Sequence, residues 1–338
     1  MEEDHIEEST YDNLLPKLVM TREFDAPREF LWKAWTDPGM LGVWWGPTVH
    51  TSPYNEIDLR VGGRFLICMR VPDGKDLWGT GTYLEIVEPE LLVIMDSFAD
   101  EQGNKVPASY YDMHDTYPLE MKFSVEFKDL DGKTRMTLTY DDIGGIPEGD
   151  LHEMEQGWNQ SFDKLEMMAV NRFTVDRTDL TITVERTFFA PRDSLFKAYT
   201  DANLVSQWWG PARFETIVDV LDPNSGGAWR FVNRDTDGTE YGFHGEFREV
   251  NPEQIVYTFE FEGMPGHISD ETVTLFDNDG TTTIRDQIEF ASIEDLDGMV
   301  QTGMMEGLAE SMDRLAMLMD EMTGRTDTRQ SFTRFACP

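Results

Sequence analysis

Cysteine is nearly absent: Cys68 and Cys337 are the two in 338 residues, and neither belongs to a CxxC pair. That scarcity argues against a disulfide framework and against a cysteine-rich zinc site. Long apolar runs are missing too, and no stretch reaches the roughly 18 residues of a membrane-spanning helix. The first ten residues, MEEDHIEEST, are acidic and carry no apolar centre of a secretory signal. A cytoplasmic protein that does not enter membranes is the plain reading. Positive charge is the third shortage, with 28 Lys and Arg against 65 Asp and Glu, a net −37. Such a balance opposes binding to nucleic acid or to anionic lipid. Lys is the scarcer base, at 9 residues, and the acids are dispersed along the chain. This pattern suits high salt, where screening removes self-repulsion. The alternative is an ordinary acidic cytosolic protein. Catalytic signatures are also lacking: no Gly-rich phosphate loop, no GxSxG, no Cys–His arrangement. His5, His50, His114, His152, His244 and His267 include no pair at a metal-ligand spacing such as HExxH. No cofactor, metal site or catalytic residue is therefore read.

What is present is a duplication. The stretch PREFLWKAWTDPGMLGVWWGP, from Pro27 to Pro47, returns without a gap as PRDSLFKAYTDANLVSQWWGP, from Pro191 to Pro211. Gly62-Gly63 and Asp73-Gly74 recur at the same spacing as Gly226-Gly227 and Asp237-Gly238. Further on, GWNQSFDKLEMMA from Gly157 is matched by GLAESMDRLAMLM from Gly307, slightly closer because a loop near Pro265 is shorter. A repeat at domain length means two tandem domains, here residues 16–175 and 176–322. Residues 1–15 are expected to be a mobile acidic tail and 323–338 a second one.

Each copy has one order of elements. In the first, Lys17 to Ala26 alternates as a strand. Pro27 opens a helix with Phe30, Leu31, Ala34 and Trp35 on one face, and Asp37-Pro38 opens another that ends at Gly46-Pro47. Strands follow to Tyr140, with a polar insert at 101–118. A long helix over 148–172 then presents Trp158, Phe162 and Leu165 on one stripe. The second copy repeats this up to a closing helix over 293–322. A meander of antiparallel strands with one amphipathic helix must bury the sheet's apolar face under that helix. The fold class is α+β.

This order, with FDAPREFLWKAWTDP, WWGP, GGRF, GTYLEIVEP and GWNQSFDKL, resembles the START-like superfamily, also called SRPBCC. Within it, the chain is similar to homologues of the activator of the heat-shock-protein-90 ATPase. The resemblance covers residues 17–172 and 179–322. It implies two tandem helix-grip (Bet-v-like) domains, each a curved antiparallel sheet wrapped round a long C-terminal helix with a cavity between them. It also implies a small apolar or amphipathic ligand as partner. Some superfamily members are cyclases or aromatases on aromatic or polyketide substrates, which makes an enzyme the alternative. A chaperone is a further candidate partner, but no segment here matches the activator's separate N-terminal chaperone-binding domain.

The candidate cavity wall is aromatic and aliphatic: Trp44, Trp45, Phe65, Met69, Tyr83, Phe123, Trp158 and Phe162 in the first copy. In the second it is Trp208, Trp209, Trp229, Phe231, Phe247, Leu308 and Met312. Indole offers area plus one N–H donor, which suits a ligand wall. The alternative is that the Trp pairs anchor the short helices, and only one of each adjacent pair can point fully inward. Leu308 and Met312 stand where the first copy has Trp158 and Phe162, so the two cavities differ in shape unless repacking compensates. His114 reads as a solvated loop residue and His244 as a satisfied sheet residue. Arg64, Arg70 and Arg230 read as outward residues in ion pairs, because Phe65, Ile67 and Met69 claim the other face. Ligand identity and oligomeric state stay open at this stage.

Overall fold

Each unit of the chain is built on one antiparallel sheet. The structure, a computed structural model, describes residues 17–324. The first unit comprises β1 (Leu18–Phe24), α1 (Arg28–Thr36), α2 (Pro38–Trp44), β2 (Thr51–Ile57), β3 (Arg64–Arg70), β4 (Asp76–Val87), β5 (Leu91–Ala99), β6 (Met121–Asp129), β7 (Thr134–Tyr140) and α3 (Glu148–Val170). The second comprises β8 (Thr174–Asp176), β9 (Thr181–Phe188), α4 (Arg192–Thr200), α5 (Ala202–Trp208), β10 (Glu215–Leu221), β11 (Ala228–Arg234), β12 (Glu240–Asn251), β13 (Gln254–Phe261), β14 (Ile268–Asn278), β15 (Thr281–Glu289), α6 (Ile293–Gln301) and α7 (Met304–Thr323). The two compact units divide between Glu166 and Met167, within α3. Among the described residues no helix is long and apolar enough to cross a membrane.

The sheets run β1-β7-β6-β5-β4-β3-β2 and β10-β11-β12-β13-β14-β15-β9-β8. In each, the first long strand returns beside the last, which curls the sheet round the helix. The α+β helix-grip architecture is thus present twice. Local chemistry explains the repeated corner. Asp37 accepts a hydrogen bond from the Met40 amide at 3.0 Å and Asp201 one from Asn203 at 2.9 Å, each starting a short helix. Gly46 and Gly210 then stop those helices at φ +92° and +79°, which only glycine adopts freely. Thr134 donates to the Ala26 carbonyl at 2.7 Å, and Thr282 to Ala190 at 2.8 Å, fixing where the last strand meets the first connection.

Two ties dock the long helix onto its sheet in both copies. Arg22 on β1 reaches Asp163 on α3 at 2.6 Å, and Arg186 on β9 reaches Asp313 on α7 at 2.6 Å. Lys164 donates to the His50 carbonyl at 3.1 Å, and Arg314 donates to the Gly210 carbonyl at 2.5 Å. These ties set the distance across which the interior residues face each other.

Three features differ from the sequence expectation. The closing helix expected over 293–322 is two helices, because Gly303 takes φ +74° and ends the i→i−4 ladder of α6. Residues Thr174–Asp176, where the boundary between the two copies was expected, form β8 and pair with Thr181–Thr183. The insert 101–118 is polar but anchored: Tyr111 is buried, and its hydroxyl donates to Ala99 O at 2.6 Å and accepts from the Trp78 amide at 2.9 Å. Helix α7 runs through Thr323 to a left-handed Gly324, and the expected tails at 1–15 and from 325 onward lie outside the described residues.

Candidate functional site

In the first unit the facing surfaces of the sheet and α3 carry rings that contact one another. Trp44 is fully buried, and its indole N–H donates to the Ala34 carbonyl at 2.9 Å, tying α2 to α1. Its neighbour Trp45 is half-buried and meets Trp158 of α3 edge-on, with centroids 5.3 Å apart. Trp35 stacks on the other side of Trp158 at 6.0 Å, and Phe162 lies 5.5 Å from it. The sheet supplies Phe123, 6.4 Å from Trp158, and Tyr140, 5.2 Å from Phe123. Phe65 packs against Tyr83 at 6.0 Å and lies across Gly81, where a Cβ would come within 2.4 Å of its ring. Met69 is half-buried, with its sulfur against Gly46. Of the expected residues of this copy, Trp44, Phe65, Tyr83, Phe123 and Phe162 are buried in the core, and Trp45, Met69 and Trp158 are half-buried.

The second unit keeps the anchor and changes the wall. Trp208 donates to the Ala198 carbonyl at 3.0 Å. Trp209 is half-buried and faces Phe231 at 5.1 Å and Phe243 at 5.2 Å. Trp229 packs on Phe231 at 4.9 Å and passes across Gly245, as Phe65 does across Gly81. Phe247 meets Tyr257 at 6.0 Å. From α7, Met312 is buried in this cluster and Leu308 packs against its edge.

Buried acids are the residues that sequence reasoning missed. Asp96 on β5 is half-buried, yet its Oδ1 has neither exposed surface nor a hydrogen-bond partner among the described residues. Burial pushes its carboxyl up to about 7. Its charge acts on the Tyr140 hydroxyl, which burial already pushes far above the usual phenol range. In the second unit Glu271 on β14 and Asp286 on β15 are 6% and 4% exposed. Desolvation raises both carboxyls, and Asp286 is raised further by Glu271 beside it. Tyr257 lies opposite Glu271 in the ladder and donates its hydroxyl to that carboxyl. Asp286 Oδ1, Tyr199 Oη and Ser269 Oγ are buried with no partner among the described residues. A signal for these acids existed. Ser269, Glu271, Val273 and Leu275 share one strand phase, and Ile284, Asp286 and Ile288 share another, so each acid occupies an apolar phase.

The remaining candidates lie elsewhere. Arg70 pairs with Asp76 and Arg230 with Glu262, both bidentate and exposed. Arg64 donates to the Gly103 carbonyl at 2.6 Å. His114 is exposed in the insert, and His244 sits 3.4 Å from Glu260. Cys68 is a free, buried thiol that desolvation pushes up to about 12.

The family model for Activator of Hsp90 ATPase homolog 1-like protein matches residues 25–169 and 189–320, once in each unit. The chain belongs to this family. Within the START-like superfamily it is thus a tandem member. Solved structures similar to it include a Mycobacterium smegmatis protein, 24% identical over 44% of this chain and 97% of that one, TM-score 0.41. An Arthrobacter aurescens protein is 20% identical over 48% and 98%, TM-score 0.43. The AHSA1 protein of Silicibacter pomeroyi is 21% identical over 45% and 95%, TM-score 0.36. No functionally curated protein matches the chain significantly.

Proposed function

We propose that each unit of this family member binds a small apolar or amphipathic molecule between its sheet and its long helix. One observation carries the reading: half-buried Trp45 and Trp158 face each other at 5.3 Å, and Tyr140 beside Trp158 feels the charge of Asp96, whose Oδ1 is buried with no partner among the described residues. A fully packed core hydrogen-bonds its buried polar atoms and seats its large rings out of water. An apolar wall with a few convergent polar groups is the usual make-up of a ligand site. A cytoplasmic location belongs to the proposal and is supported by the two-cysteine composition.

The test is native mass spectrometry of the protein from its host, together with titration of the neutral dye Nile red. Trp158→Leu installs the residue of the second copy. We expect it to cost about 1–2 kcal/mol, below the 3–5 kcal/mol of truncating a packed aromatic, and to weaken dye binding several-fold. Unchanged dye binding with a large stability loss would remove Trp158 from the wall.

A second reading is acid–base chemistry of the cyclase or aromatase kind. Its support is the inward set of Glu271, Asp286 and Tyr257, since an acid pair sharing a proton can take one up and return another. A change in mass of a retained molecule on incubation would favour it. A chaperone-regulating role rests on the family's name and on no residue of this chain.

A further inference from the structure

Five interior positions change character between the two copies. The ladders align them. Ile94 faces Phe123 in the first sheet as Tyr257 faces Glu271 in the second, and Val125 faces Leu138 as Val273 faces Asp286. With Phe24 opposite Thr134 and Phe188 opposite Thr282, the register is anchored at both ends. Trp35 thus becomes Tyr199, Ile94 becomes Tyr257, Met121 becomes Ser269, Phe123 becomes Glu271 and Leu138 becomes Asp286. Every one of these changes adds an oxygen at a position whose side chain carries none in the first copy.

The oxygens converge without a cation among the described residues to balance them. Glu271 and Asp286 act on one another, and both act on Tyr199 and Tyr257. From β9, Val184 lies opposite Asp286, while Arg186 two positions on is engaged by Asn171 and Asp313. From α7, Arg314 is engaged by the carbonyls of Trp209 and Gly210, and Met312 and Leu315 cover the same core. Two acids buried together are costly, and apolar residues of similar volume would be neutral or better for stability. The first copy demonstrates that its frame accepts Phe123 and Leu138 there. The polar set is therefore maintained against stability, and Asp286 Oδ1, Tyr199 Oη and Ser269 Oγ still lack partners among the described residues. Among the described residues no third His, Cys, Asp or Glu joins the pair to make a metal-ligand group. The surrounding faces are aromatic: Trp229, Tyr257 and Phe247.

We propose that the second unit is specific for an organic cation, a protonated amine on an aromatic or aliphatic body, seated with its ammonium between Glu271 and Asp286. This rests on the ligand-binding reading above and names the ligand class for one unit. The ammonium supplies donors to the open oxygens and the charge that lets both carboxyls ionise, while the rings take its body and part of its charge. The pair holds a proton in the empty site, because two adjacent buried carboxylates do not both ionise. Binding of the cation releases that proton, so affinity rises with pH until the amine itself deprotonates.

The test uses full-length protein carrying Asp96→Asn, which silences the buried acid of the first unit. Isothermal titration calorimetry compares 2-(1-naphthyl)ethylamine with 1-naphthaleneethanol at pH 7.5, in two buffers of different ionisation enthalpy. We expect the amine to bind at least tenfold more tightly at one site, with close to one proton released. Glu271→Phe with Asp286→Leu, and separately Glu271→Gln with Asp286→Asn, should abolish the preference and the proton release while alcohol binding persists. Equal affinities in the parent, or a preference surviving both double variants, would overturn the inference and leave apolar binding standing. Failure of both probes to bind the Asp96→Asn protein and the unsubstituted protein alike would overturn both.

Discussion

Adjacent tryptophans in each copy do different work. Trp44 and Trp208 each give an indole N–H to the carbonyl of an alanine on the preceding helix, whereas Trp45 and Trp209 stay half-buried on the inner wall. Trp44→Phe keeps a ring but leaves the Ala34 carbonyl without its buried donor. Urea unfolding should register a loss of about 1–3 kcal/mol, the usual cost of an unsatisfied buried polar group. Trp45→Phe, with no such bond to lose, should cost less. Asp96 makes a pH-dependent prediction. Its carboxyl is raised from 3.8 to about 7 in the folded state, so the native chain holds a proton that the unfolded chain releases. Its contribution therefore falls as pH rises from about 4 to about 7 and is constant above that. Asp96→Asn should remove that share, making the variant gain on the parent between pH 4 and pH 7.5 in urea unfolding midpoints. A constant difference would place the Asp96 carboxyl in an ordinary environment.

Elements were more legible than interiors. Proline at a helix start, Asp before it and the WWGP stop have local meaning, and the structure places α1, α2, α4 and α5 where those signals stand. Alternation located the strands, because a half-buried ladder imposes period two whatever it packs against. Two elements escaped. Three residues, Thr174–Asp176, are too few to show a period, even though their partners Thr181–Thr183 lie just across a short connection. The break between α6 and α7 was hidden by an apolar stripe that continues across Thr302-Gly303. Gly303 marks it by a backbone conformation that a side chain resists. Gly303→Ala should therefore lower stability by about 1–2 kcal/mol, the cost of a left-handed residue with a Cβ, although the added methyl would make only an ordinary contact with Glu306 at 3.8 Å. Thermal unfolding measures it, and an unchanged midpoint would show that the two helices can fuse at no cost. The interior was the least legible part. Trp158, Phe162 and Phe65 were readable as apolar interior, but Glu271 and Asp286 looked like ordinary acids in a chain with 65 of them. Only the strand phase separates these two from solvated ones, and the convergence of β13, β14, β15 and α4 on one spot is a tertiary fact.

For the whole molecule, charge sets the expected response to solvent. A net −37 on 338 residues is self-repelling at low salt. The Debye length shrinks from about 10 Å at 0.1 M to about 3 Å at 1 M, so the melting temperature should rise between those chloride concentrations if the surface is adapted to high salt. A flat or falling midpoint would leave the acidity as a solubility feature. The exposed Arg pairs, such as Arg135–Glu23 and Arg285–Glu185, weaken over the same range and subtract from the gain. The duplicated docking ties have a consequence of another kind. Because Arg22–Asp163 and Lys164–His50 in one copy answer to Arg186–Asp313 and Arg314–Gly210 in the other, the chain carries its own reference molecule. Each lining residue comes with a substitute that a neighbouring scaffold of the same design already tolerates. Exchanging residues between the copies, one position at a time, is a mutational library written into the gene.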